Sequence, residues 1–95
     1  MTQSTPTSLI EVEAAIIDAL DANDCYSEPI GGTRNRRIRL ADGYGDMSLV
    51  VWLDDNVVGV ALHSGQLEQY RMEFTNTPLP VIAHAVTGVA ITCLD

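Results

Sequence analysis

Cys25, His63, Ser64, His84 and Cys93 are the residues of this chain whose side chains could attack, ligate or move a proton near neutral pH. His63 and Ser64 are neighbours in "HSG", but adjacent strand residues point to opposite faces, so they make no nucleophile–base pair. A metal site would have to gather Cys25, His63, His84 and Cys93 from four separate elements. No two of them have the short local spacing of structural zinc ligands. Asp54 and Asp55 fall in a turn signal, where aspartate is favoured for backbone reasons. The expectation is a non-enzymatic protein with no catalytic residues, no cofactor and no metal.

The other concentration of chemistry is basic. "RNRRIRL", residues 34–40, holds Arg34, Arg36, Arg37 and Arg39, four of the five basic residues in a chain of net charge −8. The fifth is Arg71, and there is no lysine; eight of the thirteen acids are aspartate. A lysine-free, aspartate-rich chain is what a salt-loving archaeon or another high-GC genome produces, with surface carboxylates holding water and cations. Mimicry of nucleic acid is the weaker explanation, because the acids are scattered from Glu11 to Asp95 instead of gathered on one face.

Ninety-five residues, 46% of them apolar and 19% charged, make one small globular domain. A domain of that size has a modest core, and self-association is one way to enlarge it. No apolar run approaches the roughly 20 residues that span a bilayer. "MTQSTPTS" lacks the basic and apolar regions of a secretory signal, so a cytoplasmic protein without membrane contact is expected. Its two distant cysteines are then thiols, with a disulfide as the minority alternative.

The elements that must position these residues are read from periodicity. Residues 1–7 are a flexible polar tail, and 8–95 form the domain. Ser8 followed by Glu11 is a capping-box signature. Leu9, Val12, Ile16 and Leu20 share one stripe, which predicts a helix over 9–22, with Ile10 and Ile17 beside the stripe. "CYSEPIGGT" reads as a connector. Four strands follow: 36–41, then a "DGYG" turn (42–45), 46–54, 57–63 and 69–74. The last of these also fits a helix through Leu67, Tyr70, Arg71 and Phe74. Thr77-Pro78 resembles a helix start. Leu79, Ile82, Val86, Val89 and Cys93 predict a helix over 78–93, the alternative being a strand in "VAITCL".

The predicted fold is α+β: an N-terminal helix, a four-stranded antiparallel meander and a C-terminal helix, both helices on one face. Stepping by twos gives a heavy face of Ile38, Leu40, Met47, Leu49, Val51, Leu53, Val58, Val60, Leu62, Tyr70, Met72 and Phe74. The helices belong there. The second face carries Arg37, Arg39, Ser48, Val50, Trp52, Val57, Gly59, Ala61, His63, Gln69, Arg71 and Glu73. Its middle is small and apolar around one tryptophan, with arginines at the border. Tryptophan and arginine are the residues enriched at interface hot spots. The predicted partner-binding residues are therefore Arg37, Arg39, Trp52, His63 and Arg71.

Two plainer explanations stand beside this one. Arg37 and Arg39 on an edge strand would discourage strand-to-strand aggregation. Arg34 and Arg36 would pair at the surface with Glu28, Asp42 or Asp46. Among contact functions, a protein-interaction or regulatory module that forms a homodimer or binds a protein partner through the sheet face ranks first. Single-stranded nucleic acid, stacked on Trp52 and held by the arginines, ranks second. Net charge −8, one aromatic residue on the face and no paired aromatic motif weigh against it.

Overall fold

The computed structural model describes residues 8–40 and 46–94, the last two by backbone alone. The tail 1–7, the "DGYG" turn and the side chain of Cys93 lie outside the described residues. Helix α1 is Leu9–Ala22 and helix α2 is Leu79–Leu94; between them run β1 Ser27–Gly31, β2 Asn35–Leu40, β3 Met47–Asp54, β4 Val57–Ser64 and β5 Leu67–Thr75. The strands form one sheet in chain order, each antiparallel to the next. The fold is α+β as predicted, with five strands where the sequence predicted four.

The extra strand lies in the segment taken for a connector. Pro29 and the Gly31-Gly32 pair argue against a strand when weighed as isolated signals. At an edge, however, a proline that cannot donate to a neighbour is tolerated, and β1 is the sheet's first strand. Its pairing with β2 breaks register between Pro29 and Gly31. Gly32 then turns the chain at φ +125°, where a Cβ would run into the Asn35 carbonyl oxygen, so only glycine fits. Because β1 takes the edge, β2 is paired on both sides. Edge protection therefore does not explain Arg37 and Arg39.

Ser8 is the N-cap of α1, but its side chain makes no capping hydrogen bond, so the predicted capping box does not close. The first turn is held instead by the Val12 N–H donating to the Ser8 carbonyl at 3.2 Å. At the other end the Asn23 amide donates to the Ala19 carbonyl at 2.8 Å. Helix α2 begins one residue later than predicted, with the Val81 and Ile82 N–H groups donating to the Pro78 carbonyl. It continues through Gly88 without breaking into a strand. Its buried side is Ile82, Ala83, Val86, Thr87 and Ala90, turned slightly from the predicted stripe; Val89 is half-buried.

Both helices pack on the heavy face. Val12, Ile16 and Leu20 of α1 and Ile82, Val86 and Ala90 of α2 join Ile38, Leu40, Leu49, Val51, Val58, Val60 and Leu62 in one core. Parity thus selected the buried face correctly, with one exception. Tyr70 is 52% exposed, because α1 lies over β1, β2 and β3 and packs against α2, leaving the β5 side thinly covered.

Arg36 also belongs to this face, opposite Val51. It does not pair at the surface. Its Nε and Nη2 donate to Glu13 Oε2 and Oε1 at 2.8 and 3.0 Å, and its Nη1 donates to the Gly32 carbonyl at 2.9 Å. The fork joins α1 to β2 and to the Gly32 turn, with Glu13 buried at 6% exposure. The hydrogen bond to Glu13 raises the Arg36 pKa above its ordinary value, against an opposing effect of burial. A raised pKa favours the charged form in the folded chain, so this contribution persists throughout the physiological range and fades only beyond ordinary arginine titration. Glu13→Ala strands a guanidinium beneath the helix. It is expected to lower the thermal midpoint by several degrees, clearly more than Glu11→Ala at the exposed acid two residues earlier. Thermal melts of the two variants followed by circular dichroism check this.

Candidate protein-contact face

The antiparallel register brings the five predicted contact residues to the same side of the sheet. Arg37 is opposite Val50, Arg39 opposite Ser48, Trp52 opposite Gly59, His63 opposite Ser48, and Arg71 opposite Ala61. The helices lie on the other side. Arg37, Trp52, His63 and Arg71 line one shallow basin of about 430 Å³ together with Asn35, Val50, Ala61 and Glu68. Arg39 lines a neighbouring depression with Ser48 and Ile30, which Arg37 also borders.

The middle of this face is less bare than its composition suggests. Ala61 is 1% exposed, and Ser48 and Gly59 are also buried. Their cover comes from the face itself. The indole of Trp52 lies across Gly59, where a Cβ would collide with Cε2, Cζ2 and Nε1. The Arg71 guanidinium carbon sits 5.0 Å from the indole centroid, within cation–π range. Glu68 holds that guanidinium from its other edge, accepting from Nη2 at 2.8 Å and from Nε at 3.1 Å. Gly59, Trp52, Arg71 and Glu68 therefore form a stack in which each member positions the next. The Glu68 hydrogen bonds chiefly, then its charge, raise the Arg71 pKa, so the cation over the indole is permanent.

Glu68 had no place in the predicted face; Gln69 did. The exchange follows from a register shift between Leu62 and His63, after which His63 pairs with Glu68. Gln69 is the extra residue and lines a cleft on the helix side with Tyr70. A bulge of one residue reverses parity beyond it, and no local residue signal announces it. Gly59 could have been found from the sequence, as a glycine inside an apolar strand suggests that something approaches the backbone closely.

The remaining arginine contacts divide the face by charge. Arg39 pairs with Glu28 at 3.3 Å, both largely exposed. Arg37 enters no ion pair among the described residues. The β2 side is thus basic and the β5 side, with Glu68 and Glu73, is acidic. Cross-strand neighbours Ser48 and His63 each carry a buried atom, Oγ and Nδ1, that has no hydrogen-bond partner among the described residues. Ser64 is opposite Met47, on the helix side, so His63 and Ser64 do point apart as predicted. His84 is exposed on α2, and Cys25 is buried in the core.

Comparison with family models, with curated proteins and with solved structures finds no match for this chain. Among the described residues no helix is long and apolar enough to cross a membrane.

The stack makes one residue sensitive to a single methyl group. Gly59→Ala is expected to push the indole off the strand, costing about 1–3 kcal/mol by overpacking. It should also raise acrylamide quenching of the sole tryptophan while leaving the helical circular dichroism unchanged.

Proposed function

We propose that this chain is a small cytoplasmic, non-enzymatic interaction or regulatory module that self-associates through the open face of its sheet. The observation that carries this is the Trp52–Arg71–Glu68 stack on the side away from the helices. A large aromatic surface and a guanidinium already fixed in place lose little conformational freedom on binding. Arg36 ties elements together; here arginine dresses a surface.

The charge division supports a second copy as the occupant. A two-fold axis running parallel to the strands between two stacked faces sets the β2 side of one copy over the β5 side of the other. Arg39 is then level with Glu68 of the partner copy, and Arg37 is level with its Arg71, flanked on either side by its Glu68 and Glu73, twice over as an isologous interface requires.

Single-stranded nucleic acid has less to rest on, since the face offers one tryptophan for stacking and the chain's net charge of −8 repels a phosphate backbone. An oligonucleotide titration at low salt is expected to detect no binding.

Trp52→Ala and Arg37→Glu should each weaken self-association at least tenfold, about 1.4 kcal/mol or more. Sedimentation at micromolar to millimolar protein reads the effect. Unchanged association in both variants would remove the face from consideration.

A further inference from the structure

The sheet has two edges, and they are built differently. The β1 edge is short and carries Pro29 and a register break, features that keep other strands away. The β5 edge is the longest strand of the sheet, nine residues without proline. Its helix-side residues are also unusually open: Tyr70 is 52% exposed, and Met72 and Phe74 are half-buried, whereas their β4 partners Leu62, Val60 and Val58 are at most 1% exposed. Beside them lies an apolar cleft of about 730 Å³ between Tyr70 and the Ala85, Gly88 and Val89 stretch of α2.

The sequence of this edge is complementary to itself. Consider two copies of β5 paired antiparallel about a two-fold axis at Met72. Arg71 of each copy then faces Glu73 of the other, and Tyr70 faces Phe74. Directly opposed residues of an antiparallel pair lie within reach of one another, and both opposite charges and aromatic pairs stabilise them. Sliding the register by two residues in either direction puts Arg71 against Arg71 or Glu73 against Glu73, so the alternatives are disfavoured by like charge. Sliding by one is excluded, because it opposes residues of different faces. Within the chain Glu73 has no ion pair among the described residues.

We infer that β5 is a pairing edge for a second copy of this chain, joining two five-stranded sheets into one ten-stranded sheet through the Tyr70–Phe74 segment, in register at Met72. The axis is perpendicular to the sheet, so all four helices lie on one side and both Trp52 stacks on the other. Tyr70 and Phe74 of the two copies cover each other beside the α2 cleft. Arg71, held by Glu68 over Trp52, receives the partner's Glu73 as a second carboxylate. This edge contact does not depend on the face contact proposed above.

The test is run in the Trp52→Ala chain, which removes the face contact. That chain is expected to lose the association made through the face, the tenfold weakening predicted above, yet to remain dimeric through the β5 edge by sedimentation. Adding Arg71→Glu or Glu73→Arg should each weaken the dimer at least about tenfold, since every dimer then opposes like charges twice. Mixing the two singly reversed chains should restore a dimer, because each mixed pair opposes only unlike charges. Amide exchange in the unsubstituted protein provides a readout free of folding defects: residues 70–75 should gain protection with rising protein concentration. A monomeric Trp52→Ala chain, a mixture that stays monomeric, or exchange in β5 independent of concentration would overturn the edge proposal and leave the face proposal standing. Loss of association in Arg37→Glu with normal mixing behaviour is not compatible with an edge dimer alone and would return the face to the interface.

Discussion

A five-stranded sheet has two faces and two edges, and the described residues supply two helices to cover them. Everything distinctive in the structure follows from that shortage of cover. The helices bury one face, where Ile38, Leu49, Val51, Val60 and Leu62 are wholly enclosed. They do so asymmetrically, because α1 settles over β1, β2 and β3 and α2 packs on α1. The opposite face and the β5 edge must then be made compatible with water by side chains alone.

The open face manages this by folding its own residues over its small centre. Removing the side chain at Gly59 lets the indole lie flat across the strand, and the indole gives Arg71 an apolar plane to rest on. Ala61, which would otherwise be bare, is thereby enclosed. Such an arrangement is neither core nor ordinary wetted surface. It presents rigid amphipathic groups without leaving a wide apolar patch that would drive unspecific aggregation.

The arginine cluster that dominates the sequence dissolves once strand parity acts on it. Arg36 points to the helix side and clamps α1 through Glu13; Arg37 and Arg39 point the other way. One residue of separation is the difference between an internal tie and a side chain on the open face. Arg71, distant in sequence, becomes the link between the two surfaces, since it stacks on Trp52 and sits on the β5 edge. A chain of net charge −8 thus uses each of these four cations at a defined place.

The helices, four of the five strands, the buried face and the side on which Trp52 lies were all legible in the sequence, because each is set by the local pattern of apolar residues. So was the grouping of Arg37, Trp52, His63 and Arg71, which needed only parity. What the sequence did not disclose was decided between elements. The β1 strand exists because β2 offers it a partner, which overrides the warnings of Pro29 and Gly31. The Glu13–Arg36 fork depends on where α1 comes to rest, and the place of Glu68 beneath Arg71 depends on a one-residue slip in the β4–β5 register. Period reports which way a side chain points; only the packing of one element on another decides what it meets there.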